Sequence, residues 1–207
     1  MIPVLLLWSV VLVSEPLSEL PVHPPSQSSS ILEERLEAVR KSPADPRARL
    51  ELGIAYADAE DYDFAMSELV ESIRLNRNNK ENLTAQANFQ LGRVLAALER
   101  PDLATKAYRE ALGLGLQEAR VYSALGEALA AERKYEEAIG EYRTALNLSP
   151  NSFAAHAGLA LVLEASGKLD EALTEYEAAL QSAPPGDDHA LAAITHRLTT
   201  LRDRRRL

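Results

Sequence analysis

The fold is decided by residues 119–152, ARVYSALGEALAAERKYEEAIGEYRTALNLSPNS, in which Leu125-Gly126, Ala138, Tyr142, Ala145 and Pro150 stand at fixed offsets. Thirty-four residues later the same offsets hold Leu159-Ala160, Ala172, Tyr176, Ala179 and Pro184. Thirty-four residues earlier they hold Leu91-Gly92, Ala104, Tyr108 and Ala111, and 39 before those stand Leu52-Gly53, Ala65, Leu69 and Ser72. Four copies in phase predict a stack of similar units, each covering the apolar face of its neighbour. Each unit reads as two amphipathic helices. Where they cross, a Gly or Ala on the first has to face an Ala on the second so that the backbones come close. The bulky residue between the two small ones, Tyr142 for instance, fills the space between successive units. The closing proline stops the second helix, because it lacks an amide donor and clashes with the preceding turn.

The composition agrees. Leu and Ala supply 67 of the 207 residues and aromatics only 5%, a bias toward helices packed through small side chains and away from strands. The 31 acidic against 22 basic side chains leave a net charge of −9, which argues against a nucleic-acid binder, since phosphate neutralisation needs a basic face. With no cysteine there is no disulfide framework, thiolate metal site or cysteine nucleophile.

The pattern resembles the tetratricopeptide repeat over residues 31–184. That resemblance implies an all-α solenoid, a right-handed superhelix of helix-turn-helix units. The units are 46–84, carrying an insertion around Arg77–Thr84, then 85–118, 119–152 and 153–186. Asp45-Pro46 supplies a cap and a first-turn proline for the first of them. Residues 31–45 read as an N-terminal half-repeat helix opened by the capping box Ser30-Ile31-Leu32-Glu33. Gly113-Leu114-Gly115 ends the second unit where a proline is absent, through a left-handed cap. Residues 187–207 read as a polar capping helix, which repeat arrays need at their ends.

The head of the chain differs. Residues 1–14 hold the apolar run Val-Leu-Leu-Leu-Trp-Ser-Val-Val-Leu-Val at 4–13 and read as a signal peptide or an apolar N-terminal segment. At 1.5 Å per residue the run spans about 15 Å, roughly half a bilayer core. Residues 15–30, rich in proline and serine, read as a flexible tether. The expected location is therefore exported, whether periplasmic, secreted or membrane-tethered, with a cytoplasmic protein as the alternative.

No chemistry-bearing constellation accompanies the repeats. The histidines are His23, His156, His189 and His196, and the last two are seven apart, about 10.5 Å along a helix, which is too far for one metal. His156 falls where the repeat places a packing residue. No phosphate loop, nucleophile elbow or zinc-protease motif is present, so no catalysis, cofactor or metal is expected.

In tetratricopeptide proteins the first helices line a concave groove. The resemblance brings forward Arg47, Leu50, Ile54 and Asp58 from the first full unit, and Gln86, Phe89 and Arg93 from the second. Arg120, Ser123 and Glu127 come from the third, and Leu161 and Glu164 from the fourth. Leu50, Ile54 and Phe89 are apolar where packing within a repeat does not require it, which suggests a binding patch unless the half-repeat helix or the N-terminal segment covers them. The clamp by which chaperone-binding members hold a C-terminal carboxylate would fall on Leu50, Ile54, Gln90, Arg120 and Ala124; only Arg120 is basic, so a chaperone-tail receptor is not expected. The expected function is a non-enzymatic scaffold binding a peptide or helix segment of another protein. The alternatives are a membrane-tethered assembly or secretion accessory, with membrane contact through residues 1–13 and the arginines at 202–206, and the regulatory part of an enzyme.

Overall fold

The computed structural model describes residues 27–184, 186 and 188–205. The apolar segment, His23 and the tether up to residue 26 lie outside the described residues. Those described form helices α1 (Gln27–Lys41), α2 (Pro46–Asp58), α3 (Tyr62–Leu75), α4 (Leu83–Ala97), α5 (Pro101–Gly113), α6 (Ala119–Ala131), α7 (Tyr135–Leu148), α8 (Phe153–Ala165), α9 (Leu169–Ser182) and α10 (Asp188–Arg205). The all-α repeat reading holds, with α2/α3, α4/α5, α6/α7 and α8/α9 as the four pairs, α1 packed on α2 and α10 packed on α9.

Local chemistry sets the boundaries. Asp45 caps α2, its carboxylate accepting from the Arg47 amide at 2.9 Å, and Pro46 takes the first helical position. Helix α1 starts at Gln27, so the end of the expected tether is helical and Ser30 stands inside the helix instead of capping it. The five-residue insertion is a loop pinned by asparagines. Asn76, 6% exposed, donates to the Lys80 carbonyl at 2.9 Å and accepts from the Lys80 amide at 3.1 Å. Asn79, in the left-handed region, donates to the Leu114 carbonyl at 3.0 Å and accepts from the Ala85 amide at 3.1 Å. A short 3-10 turn, Lys80–Asn82, leads into α4, which starts two residues before the expected unit boundary at 85.

Each first helix ends the same way. At Glu60, Glu99, Arg133 and Gly167 the backbone turns left-handed, and the next amide bonds back to a carbonyl five residues earlier, as Lys134 does to Leu129 at 2.9 Å. Helix α5 ends similarly at Gly115 (φ 97°), as the glycine there implied, with the Leu116 amide on the Ala111 carbonyl at 3.1 Å.

The core runs along the array. Ala65, Ala104, Ala138 and Ala172 are each 0% exposed, as are Ser72, Ala111, Ala145 and Ala179. The small residue of the first helix, however, faces the bulky residue of the second more closely than an alanine. A Cβ at Gly53 would lie 2.8 Å from the Leu69 side chain, and one at Gly92 would lie 2.4 Å from the Tyr108 ring. On the outer side, ion pairs tie second helices together with the repeat period. Arg109 meets Glu137 at 2.7 Å and Arg143 meets Glu171 at 2.6 Å.

Candidate functional site: the concave groove

Successive first helices approach one another, α2 to α4, α4 to α6 and α6 to α8, whereas successive second helices have no comparable contact. The array therefore curves with the first helices inside, and they line the groove. Helix α10 continues that lining at its end. A cavity of about 350 Å³ there is lined by Glu164 of α8 with Ala193, His196, Arg197 and Thr200 of α10.

The twelve residues expected in the groove divide into three groups. Leu50 and Phe89 belong to the core, 3% and 6% exposed, and do not form a binding patch. Leu50 clusters with Leu83, Ala87 and Val94 of α4, with half-buried Ile54 packed against the same cluster. The cover comes from the first helix of the following unit. Helix α1 packs instead on Ala48, Leu52 and Tyr56. Phe89 is tilted against the Tyr108 ring, centroids 5.9 Å apart, and carries the Arg120 guanidinium 5.0 Å above its face.

A second group is committed to partners within the chain. Arg47 pairs with Glu81, Arg93 donates to Gln90 at 2.8 Å, and Arg120 donates to Glu118 at 2.6 Å. Half-buried Glu164 accepts from the Tyr176 hydroxyl at 2.7 Å and pairs with Arg197 at 3.3 Å. The remaining four, Asp58, Gln86, Ser123 and Glu127, share no hydrogen bond or ion pair with the rest of the described residues, and Leu161 stands out as 40% exposed.

Three expected residues converge. Arg120, Ser123 and Glu127 line a cavity of about 440 Å³ between α6 and α8, together with Tyr142, Ser152 and Ala154. Tyr142 was legible as a packing residue, and it is one: its ring lies against Gly126 of its own unit and Gly158 of the next. Its place on the groove floor was not foreseen. The usable signal was Gly158, a glycine 34 residues after Ala124, where a smaller side chain makes room for the phenol. Burial pushes the Tyr142 phenol above its ordinary range, and the Glu127 charge adds to the effect, so the hydroxyl stays protonated and neutral.

His156 is structural. Nδ1 lies 2.7 Å from a Glu175 carboxylate oxygen and Nε2 lies 2.9 Å from the Pro150 carbonyl, which joins α8 to α9 and to the preceding turn. Among the described residues no three His, Asp or Glu side chains are grouped to hold a metal ion.

Models of the tetratricopeptide repeat match residues 89–153 and 123–187, and a further one matches 26–116. Among solved structures, a crystal structure of MamA is 22% identical and covers 75% of this chain and 88% of its own, with a TM-score of 0.66. A MamA fragment from Desulfovibrio magneticus, also 22% identical, covers 77% and 88% with a TM-score of 0.68. YrrB, described as a TPR protein with an unusual peptide-binding site, is 18% identical and covers 84% and 85% with a TM-score of 0.68. At these identities the likeness speaks for the fold. No curated protein is a significant sequence match.

Proposed function

Because the chain belongs to the tetratricopeptide repeat family, we propose that it is a non-enzymatic protein-interaction scaffold that holds an extended or helical segment of another protein in its concave groove. One observation carries this reading. On the groove floor, the cavity between α6 and α8 gathers Ser123, Glu127 and Tyr142, whose polar side-chain groups have no partner among the described residues. Polar groups left so beside an apolar lining, here Ala119, Ala124 and Ala154, suit a surface that is completed by a ligand.

The test is a capture experiment with the full chain against the same chain carrying Ala154→Arg and Leu161→Arg, two exposed groove positions. Partners retained by the wild type and by a convex-face control, Phe64→Arg, but lost by the groove variant support the reading. Equal capture by all three baits would move the site off the groove. Export or membrane tethering rests on the sequence of residues 1–14 alone. No helix among the described residues is long and apolar enough to cross a membrane, and fractionation of the native protein tests the location directly.

A further inference from the structure

The 440 Å³ cavity between α6 and α8 is lined by a carboxylate that has no partner among the described residues. Two charged side chains line the cavity, Arg120 and Glu127. Arg120 is already engaged, its Nε donating to Glu118 at 2.6 Å and its guanidinium resting on the Phe89 ring. Arg93, one turn along α4, is held by Gln90 at 2.8 Å. Glu127 is exposed and, among the described residues, makes neither an ion pair nor a hydrogen bond. Of the two charged side chains that line the cavity, Glu127 is therefore the one without a partner among the described residues.

The floor carries the second observation. Tyr142 is only 5% exposed, yet its hydroxyl has no hydrogen-bond partner among the described residues. Of the two neighbouring phenols of the array, the Tyr176 hydroxyl is satisfied by Glu164 at 2.7 Å, whereas that of Tyr108, like Tyr142, makes no hydrogen bond among the described residues. The Tyr142 hydroxyl keeps some exposed surface, since no fully buried side-chain oxygen or nitrogen among the described residues lacks a partner, and its residue lines the cavity. Gly158 makes this possible, as a Cβ there would stand 2.6 Å from the Tyr142 oxygen. A neutral phenol beside an unpaired carboxylate offers two acceptors, and the alanines on the walls suit an aliphatic stem.

We infer that this cavity is a subsite for a basic side chain, lysine or arginine, of the bound segment, with Glu127 supplying the counter-charge and the Tyr142 hydroxyl accepting a hydrogen bond from the floor. The inference rests on the groove reading given above and adds the chemistry of one residue of the ligand. It treats Ser123 as a further acceptor on the wall. Ser152 already accepts from the Ala155 amide at 3.3 Å and contributes shape.

The experiment selects from a display library of random peptides about a dozen residues long, using the full chain as bait, then measures the best peptides against variants. The wild type is expected to enrich peptides with lysine or arginine at one aligned position. Glu127→Gln and Tyr142→Phe, which remove groups without partners and so keep the fold, should each weaken those peptides, the former about tenfold. Peptides that lose binding on Ala154→Arg yet show no basic preference would overturn the subsite and leave the groove reading standing. An aligned acidic residue whose binding depends on Arg120 would overturn it too. If no peptide depends on Ala154→Arg, both readings fail together.

Discussion

The hydroxyl of Tyr142 occupies the space that a side chain at Gly158 would need, since a Cβ there would lie 2.5 Å from the ring and 2.6 Å from the oxygen. The ring has no retreat, because Gly126 sits against its other edge, where a Cβ would lie 3.0 Å away. Gly158→Ala is therefore expected to lower stability by about 1–3 kcal/mol, despite the better helix propensity of alanine. Gly140→Ala is the control, as nothing lies within 4 Å of a Cβ at that exposed helical position. It should raise stability by roughly 0.5–1 kcal/mol. Urea denaturation of both variants checks the pair.

Much of this packing was readable in advance, because a 34-residue period in small and bulky residues can only arise from a face buried the same way in every unit. Ala138, Tyr142 and Ala145 sit in the core for the reason their spacing announced. The groove was less readable. Leu50 and Phe89 looked like a patch because the pattern within one unit does not demand apolar residues there, but contact between first helices of successive units does. Intra-unit registration has no access to that contact. The cavity on the floor depends on Gly158, whose meaning appears only when its distance to a tyrosine sixteen positions earlier is known.

The left-handed turns after the first helices are built from unequal residues. Glu60, Glu99 and Arg133 hold φ of 62°, 56° and 61°, whereas Gly167 holds 81° at the same place in the fourth unit. A Cβ in that region costs about 1 kcal/mol. Arg133→Gly should therefore stabilise by a few tenths of a kcal/mol, after about 0.4–1 kcal/mol for the unfolded-state entropy of glycine is deducted, and Gly167→Ala should destabilise by a similar few tenths. Thermal or denaturant melts of the two variants should move in opposite directions.

Binding experiments at the groove need variants that do not damage the core. Phe89→Ala removes a side chain only 6% exposed that supports both Tyr108 and Arg120, and should cost about 3–5 kcal/mol. Leu50→Ala should cost about 2–5 kcal/mol for the same reason. Leu161→Ala, at a side chain 40% exposed, should stay within about 0.5 kcal/mol of wild type. A loss of partner binding with Leu161→Ala at unchanged stability would implicate the groove surface, while the same loss with Phe89→Ala would report unfolding.

Stability should fall at both ends of the pH range, for different groups. Glu132 accepts from Lys134 at 2.7 Å and from the buried Thr105 hydroxyl at 2.6 Å, a contact that joins α5 to the turn after α6. The Lys134 hydrogen bond, with that of Thr105, holds its carboxyl below the ordinary 4.5. Its contribution is thus complete above 4.5 and is lost as pH falls through the lower folded-state value. Burial instead raises the phenols of Tyr108, Tyr142 and Tyr176 above the ordinary 10. Their contribution is complete below 10 and is lost as pH rises beyond it, since the unfolded chain ionises first. Unfolding free energy measured against pH should show Glu132→Gln with a shallower acid limb than wild type. On the alkaline side, the share of phenolate absorbance that Tyr176→Phe removes should appear together with the loss of helix, and that share forming well before unfolding would contradict the packing of this ring.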